Sequence, residues 1–150
     1  MKIVLEHLTK KFLSRQIKNE IVVAVNDFNF EIPDGKLVGL LGPSGCGKST
    51  TLRMIAGLEK ADKGEIQKTA KSISFMFQED RLIPFVSVLK NLTAVCSEEK
   101  ALKYLKLMGL ENEKDNSPLS LSGGMRRRVA LARALCFESE LVILDEPFKG

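Results

Sequence analysis

Three short segments of this chain carry glycine, hydroxyl and charged residues at spacings that suit phosphate and metal chemistry. The first is a glycine-rich run that matches the pattern G-x-x-x-x-G-K-[ST], between an apolar stretch and a helical stretch. Its glycines allow backbone N–H groups to turn inward as an anion nest, and the following helix adds its positive N-terminal end. The predicted phosphate contacts are Gly42, Pro43, Ser44, Gly45, Cys46, Gly47, Lys48, Ser49 and Thr50.

Two residues of this run contribute side-chain chemistry. In the matching pattern, the lysine ammonium reaches the β- and γ-phosphates of a nucleotide, and the hydroxyl of the next residue ligates Mg²⁺. These roles are predicted for Lys48 and Ser49. A Gly/Ser turn with an exposed lysine is the alternative, but the complete match in a strand-to-helix context favours the nucleotide interpretation.

The second segment is a pair of adjacent carboxylates after the apolar run Leu141–Leu144. Neighbouring strand residues point to opposite sides, so Asp145 and Glu146 cannot serve the same role. In phosphate-loop NTPases an acid at such a strand end holds Mg²⁺, and another residue must orient the attacking water. We therefore predict Asp145 as a metal ligand and Glu146 as the general base. Taken alone, Asp-Glu-Pro is also an ordinary exit from a strand.

The third segment, Leu121-Ser122-Gly123-Gly124, opens a helical pattern that extends to Cys136. Ser122 is a typical N-cap, and a plain capped helix is the simplest interpretation. Two glycines inside a first helical turn cost about 1 kcal/mol each relative to alanine. Close approach of a phosphate to their N–H groups would explain why they are there.

Length and composition set the limits of these hypotheses. The 150 residues are 44% hydrophobic and 28% charged, which is typical of one globular domain or a piece of one and excludes a disordered or rod-like chain. The longest uncharged run, residues 37–47, is far shorter than the roughly 20 apolar residues of a membrane span. Cys46, Cys96 and Cys136 are widely spaced and odd in number, which argues against a disulfide framework and for a reducing compartment.

The net charge of +4 gives little evidence for a nucleic-acid partner. The basic clusters include Arg126, Arg127 and Arg128, but none has the interleaved aromatic residues of a nucleic-acid platform. We interpret these clusters as solvated helix faces.

Hydrophobic periodicity predicts an α/β fold. Apolar alternation near the N-terminus indicates short antiparallel strands, and three later apolar runs indicate buried parallel strands. The antiparallel strands are predicted at residues 3–5, 21–25 and 28–32, and the parallel strands at 37–41, 72–77 and 141–144. Helical patterns are predicted at residues 49–56, 86–95, 101–108 and 122–136.

Four features of the sequence resemble, in their order along the chain, the nucleotide-binding subunit of ATP-binding cassette (ABC) transporters. They are the glycine-rich run at residues 42–49, called the phosphate loop below, Gln78, the Leu-Ser-Gly-Gly segment at 121–124 and the acidic strand end at 141–146. The resemblance implies a phosphate-loop NTPase (RecA-like) core with an N-terminal antiparallel β subdomain and a short helical subdomain. Residues 1–150 would form a partial ABC ATPase domain. Its expected parts are 1–78 (β subdomain and phosphate-loop part of the core), 79–137 (helical subdomain) and 138–150 (acidic strand).

The resemblance also implies site roles. In this family two subunits form a head-to-tail dimer, with ATP between the phosphate loop of one and the Leu-Ser-Gly-Gly signature of the other. Ser122, Gly123 and Gly124 would then touch the γ-phosphate held by a second copy. Gln78 would contact Mg²⁺ and the catalytic water, with an exposed loop glutamine as the alternative. Phe12 stands where the family stacks an aromatic ring on adenine, but an apolar strand residue is an equal alternative.

The implied activity is ATP hydrolysis with Mg²⁺, coupled to solute import through separate transmembrane permease subunits. Glu146, Gln78 and Lys48 would be the catalytic residues. The implied partners are the permease, a second copy of the subunit and, indirectly, an extracytoplasmic solute-binding protein, with no nucleic acid. The implied location is cytoplasmic, on the inner face of the cell membrane. An ABC-type ATPase of a soluble process and a nucleotide-binding fragment without turnover are the alternatives.

Two finer features complete the resemblance. Residues 77–85 and Met125 look like those of importers of nitrate, sulfonate or taurine. Family members continue beyond the acidic strand to a switch histidine, whereas this chain ends at Gly150 and its only histidine is His7. We therefore expect the C-terminal part of the core to be absent, and residues 1–150 alone to fold poorly and to lack ATPase activity.

Overall fold

The computed structural model describes residues 2–14, 17 and 19–148. The chain divides into two units, Met1–Lys71 and Ser72–Gly150. The second unit contains the two parallel strands and, among the described residues, every helix except the one at Lys48–Ala56. The subdomain bounds expected from the resemblance, after residues 78 and 137, stay predictions.

The first unit is built on an antiparallel sheet. Its strands β1 (Ile3–Leu13), β2 (Ile21–Ile32) and β3 (Lys63–Lys68) lie in the order β2-β1-β3. The two short strands predicted in residues 21–32 form the single strand β2, which pairs with β1 from Ile3 opposite Ile32 to Leu13 opposite Ile21. Register shifts interrupt this pairing along β1, so the alternation in the sequence is broken without a break in the strand.

The apolar run at residues 37–41 is not a strand, and this prediction was wrong. The side chains of Leu37 and Leu41 are fully or almost fully exposed, at 101% and 93%. A buried parallel strand needs hydrogen-bonding neighbours, because unpaired N–H and C=O groups are costly away from water. No strand of the described part of the chain pairs with residues 37–41. The segment instead leads as a loop into helix α1 (Lys48–Ala56).

The second unit confirms the other two predicted parallel strands. Strand β4 (Ile73–Met76) pairs with β5 (Leu141–Leu144) in parallel, with Ile73 opposite Leu141 and Met76 opposite Leu144. Because the two strands are parallel and in register, their carboxyl ends lie side by side. The residues that follow each strand are therefore neighbours in space.

The helices of this unit form where the apolar spacing predicts them. They are α2 (Val88–Thr93), α3 (Glu98–Leu107) and α4 (Gly123–Cys136), with short 3-10 helices at Glu111–Glu113 and Pro118–Ser120. Their apolar faces meet in one core, which contains Val88, Leu92, Ala101, Leu105, Leu110, Leu121, Val129, Ala132 and Cys136. Helix α4 also packs on β4 and so connects the helical core to the sheet. Among the residues that the structure describes, no helix has the length and hydropathy to span a membrane.

Candidate functional site

The glycine-rich run forms a tight loop that ends at the N-terminus of α1. Gly45 and Gly47 have φ values of +81° and +93°, in the left-handed region that suits glycine. A Cβ atom at Gly47 would lie 2.1 Å from the backbone oxygen of Ala24 on β2. Glycine is therefore required at Gly47 by the backbone of its own unit, before any ligand is considered.

The ammonium of Lys48 lies over this loop. Its Nζ donates hydrogen bonds of 2.7 Å to the carbonyl oxygens of both Gly42 and Pro43. No acidic residue stands in the first turn of α1, so the positive end of the helix is not neutralised there. Ser49 and Thr50 occupy that same turn and are half-buried. The loop thus combines a lysine ammonium with a helix N-terminus, which suits an anion.

Phe12 lies on β1 opposite Val22 and exposes 39% of its surface. The Lys10 ammonium is 5.1 Å from the centre of its ring, within cation–π distance. The Glu59 carboxylate, 2.8 Å from Lys10 Nζ, is the largest of several causes that raise the pKa of Lys10, which keeps this cation charged. The ring is accessible for stacking, and its contact with adenine stays a prediction.

The two adjacent carboxylates at the end of β5 lie in different environments. The Asp145 N–H donates to the Met76 carbonyl at 2.9 Å, so this residue still follows the strand ladder and only 1% of it is exposed. Glu146 leaves the ladder with φ of +50° and is half-buried. The predicted division of roles between the two acids therefore has a structural basis, although the roles themselves stay predictions.

Gln78 comes two residues after β4 and has an exposed side chain. Its backbone carbonyl accepts a 2.9 Å hydrogen bond from the guanidinium of Arg127 on α4. The same guanidinium donates to the carbonyls of Asp145 and Glu146, at 2.8 and 2.6 Å. The structure thus brings the glutamine segment and the acidic strand end together through one side chain.

The interpretation of the arginine cluster as a solvated helix face was wrong for Arg127, of which only 7% is exposed. Arg128, by contrast, is exposed and donates to the Met108 carbonyl at 2.7 Å. A signal for this difference was present in the sequence. Arg127 shares a helix face with Ala130 and Ala134, three and seven residues later, and both alanines are buried.

The Leu-Ser-Gly-Gly segment forms the N-terminus of α4. Ser122 is the N-cap, as predicted, and its hydroxyl accepts a 3.2 Å hydrogen bond from the Met125 N–H. Gly123 and Gly124 are exposed. A Cβ atom at Gly123 would come no closer than 3.9 Å to Arg126, and one at Gly124 would meet nothing within 4 Å. Unlike Gly47, these two glycines are not required by the packing of the described chain.

The sequence model of the ABC transporter family matches residues 25–149. The chain therefore belongs to this family, and the predicted resemblance is confirmed. Its fold is similar to a dimeric post-hydrolysis structure of the ATP-binding cassette MJ0796 bound to ADP and Pi. The TM-score is 0.86 at 31% identity, over 97% of this chain and 74% of the other. This likeness confirms the predicted α/β fold class.

Curated relatives carry names of importer subunits. A probable sulfate/thiosulfate import ATP-binding protein CysA of Chlorella vulgaris is 42% identical over 167 residues, which cover 99% of this chain and 68% of the relative. An aliphatic sulfonates import ATP-binding protein SsuB of Bacillus cereus is 38% identical over 92% of this chain and 59% of the relative. The chain spans only 42–46% of the length of three other relatives, which are named sulfate/thiosulfate import ATP-binding protein CysA.

Proposed function

We propose that this chain provides nucleotide-binding and catalytic parts of an ATPase subunit that drives solute import through separate membrane permease chains. The observation that carries the proposal is the phosphate loop. There the Lys48 ammonium lies beside the N-terminus of α1, whose positive end no acidic residue of the first turn neutralises. Family membership supports the assignment of ATP as the ligand.

Binding would begin with an exchange of partners at Lys48. Its ammonium now donates to the neutral carbonyl oxygens of Gly42 and Pro43, which are weaker acceptors than phosphate oxygens. The β- and γ-phosphates would therefore replace these carbonyls as partners of the ammonium. Phe12, with its accessible ring on the same unit, would stack on the adenine.

The chain has suitable residues for the magnesium ion that accompanies ATP. Mg²⁺ prefers oxygen ligands and keeps several waters. The proposed ligands are those that the family resemblance assigns, namely the Ser49 hydroxyl of the first unit and the Gln78 amide oxygen and buried Asp145 carboxylate of the second. When bound, the ion would reduce the negative charge on the phosphate oxygens.

Glu146 would act as the general base for hydrolysis. Its carboxylate would accept a proton from water as the water oxygen bonds to the γ-phosphorus, while the bond to the bridging oxygen of ADP breaks. The different surroundings of the two acids support this role, because Glu146 has left the strand and is half-buried whereas Asp145 is almost fully buried.

The two exposed glycines of α4 support a site completed by a second copy of the chain. Nothing in the described chain lies within 4 Å of a Cβ atom at Gly124, yet glycine weakens a helix relative to alanine. A ligand that approaches the helix backbone from outside would explain why glycine stands here despite the loss of helix stability. We infer that Ser122, Gly123 and Gly124 contact the γ-phosphate held by the partner's phosphate loop.

Replacing Gly124 with alanine separates these explanations. The variant should be as stable as the parent or slightly more stable, since alanine favours the helix and meets no neighbour. ATP-dependent dimer formation and hydrolysis should nevertheless fall, because the methyl group would lie where the phosphate approaches. Thermal unfolding and light scattering on the complete protein measure both effects, and a variant that dimerises with ATP like the parent would exclude the assignment.

Cys46 provides a test of the loop itself. Its thiol is exposed, and we expect a maleimide to label it and to block ATP binding by steric hindrance. Mg-ATP should slow the labelling. Cys136 is an internal reference, because burial raises the pKa of its thiol to about 12 and keeps it protonated. In Cys46→Ala the reagent should leave ATP binding intact. Equal labelling of Cys46 with and without Mg-ATP would contradict the proposed loop contact.

The proposed partners are a transmembrane permease, a second copy of this subunit and, indirectly, an extracytoplasmic solute-binding protein. The subunit would lie on the inner face of the cell membrane. The names of its relatives point to a sulfur oxyanion, such as sulfate or a sulfonate, as the solute. Deleting the gene and measuring growth on sulfate or on a sulfonate as sole sulfur source tests this part. Unchanged growth and uptake on both would exclude this solute class.

A further inference from the structure

We propose that Arg127 is the positioning residue that holds Gln78 and Glu146 in a fixed relation for hydrolysis. The proposal rests on the proposed ATPase function. It assigns no contact with ATP to Arg127. Instead, the guanidinium acts through the backbone of the two segments that carry the predicted catalytic side chains.

The geometry begins at the ends of the two parallel strands. Paired residues of β4 and β5 end at Met76 and Leu144, and after them the chains turn into loops. One guanidinium nitrogen of Arg127, Nη1, donates to the carbonyls of Phe77 and Gln78 at 2.8 and 2.9 Å. These are the first two residues after β4.

The other nitrogen, Nη2, donates to the carbonyls of Asp145 and Glu146, the first two residues after β5, at 2.8 and 2.6 Å. The last ladder hydrogen bond joins the Asp145 N–H to the Met76 carbonyl, and the guanidinium connects the two strand ends just beyond it. This arrangement fixes the spacing between the two loops that follow.

A contact with an acidic side chain holds the guanidinium of Arg127 in place. Asp80 lies in the loop after β4, and its Oδ1 is 3.3 Å from Arg127 Nη1. The guanidinium is buried, so its charge is stabilised only if partners surround it. Removal of the guanidinium would leave the four carbonyl oxygens without this donor and would leave Asp80 with the longer contact to Arg126, at 3.9 Å.

The backbone of Glu146 depends strongly on such an anchor. Its φ of +50° lies in a region that is unfavourable for a residue with a side chain. The shortest of the four carbonyl contacts of Arg127 is the one to this residue. Loss of the guanidinium should therefore allow Glu146 to relax and to move its carboxylate away from the catalytic position.

Lysine cannot replace this arginine. The planar guanidinium presents donors in a fixed fork, so one nitrogen serves each strand end. A lysine ammonium is a single point and can stay close to only one of the two loops. Arg127→Lys thus keeps the charge and removes the connection between the loops.

Turnover and ATP binding in the complete protein, with its permease if it requires one, provide the first test. Arg127→Lys should lower kcat by about 10–100-fold, because a small displacement of catalytic groups has an effect of this size. The KM for ATP should change little, since the phosphate loop uses other residues. Arg128→Lys is the matched control, one residue away on α4. The hydrogen bond of Arg128 to the Met108 carbonyl is within reach of a lysine, and the kcat of this control should stay close to that of the parent.

A double-mutant cycle with Glu146→Gln tests whether Arg127 acts through Glu146. If it does, Arg127→Lys should cause a much smaller further loss in the Glu146→Gln background than in the parent. If Arg127 had a merely structural role, Arg127→Lys would lower kcat by the same factor in both backgrounds, and that result would overturn the proposal.

Hydrogen exchange in the protein without nucleotide gives a readout independent of activity. Arg127→Lys should speed exchange of the backbone amides at residues 77–80 and 145–148, whereas Arg128→Lys should not. If Arg127→Lys unfolds at the assay temperature, the same measurement on Arg127→Gln, whose amide can serve one strand end, replaces it. Unchanged exchange in both loops, or a parent-like kcat, refutes the role of Arg127. A parent that fails to bind or hydrolyse ATP would instead refute the proposed function.

Discussion

Replacing Lys48 with alanine is expected to abolish measurable ATP binding. The ammonium is the point charge of the phosphate loop and would make charge-assisted hydrogen bonds to the β- and γ-phosphates. Each bond to a charged group contributes about 1.5–3 kcal/mol, so two of them correspond to a loss of about 10²–10⁴-fold in affinity. Titration calorimetry with Mg-ATP on the parent and on Lys48→Ala measures the difference.

Two features make this experiment specific. The hydrogen bonds that Lys48 now makes to Gly42 and Pro43 are to neutral carbonyls near the surface, so the variant should remain folded. Lys36→Ala, at an exposed position between β2 and the loop, removes the same charge and should bind ATP like the parent. Equal dissociation constants for the parent and Lys48→Ala would show that the phosphate loop is assigned wrongly.

Replacing Glu146 with glutamine should keep ATP binding and slow hydrolysis. An amide of the same shape cannot accept the proton of the attacking water, and loss of a general base typically costs about 10²–10⁴-fold in rate. With hydrolysis slowed, the ATP-bound dimer should accumulate. Phosphate release and light scattering on the complete protein follow the two effects separately.

Glu111→Gln is the corresponding control, because Glu111 is an exposed acid in the 3-10 helix of the same unit. It should hydrolyse ATP at the rate of the parent. If Glu146→Gln stays monomeric with ATP and hydrolyses it at the parent rate, Glu146 is not the base.

Secondary structure was predicted most accurately for elements whose bounds depend only on their own residues. Helix α4 shows this, because Ser122 caps it and its apolar residues follow the helical spacing to Cys136. Strands β4 and β5 were predicted within about one residue, since each is a short apolar run between polar turns. Such signals are local, and they do not depend on what the rest of the chain does.

The failures concern elements that depend on partners. Strand β3 (Lys63–Lys68) was missed because Ile66 is its one large apolar residue, and its strand conformation comes from pairing with β1. The error at residues 37–41 was the opposite one, because a strand was predicted there and none forms. The composition of this run is typical of a buried strand, but composition alone supplies no neighbour to pair with.

The site shows the same division. The phosphate loop and the acidic pair were predicted from residue types and spacing, and the role of the signature glycines from the family resemblance; these roles stay predictions. Arg127 was missed, because its role depends on two backbone segments that are distant in the sequence from each other and from Arg127. A run of charges is usually solvated, and only the position of Arg127 beside buried alanines distinguished it.

The exposed leucines before the phosphate loop also affect how this polypeptide behaves in solution. Leu37 and Leu41 present almost their whole surface to water, in a stretch whose backbone is paired with no strand in the described residues. An unpaired apolar segment of this kind is a template for β-pairing between molecules and a starting point for aggregation. Self-association of these 150 residues at high concentration is therefore expected to begin at residues 37–41, directly before the predicted phosphate loop.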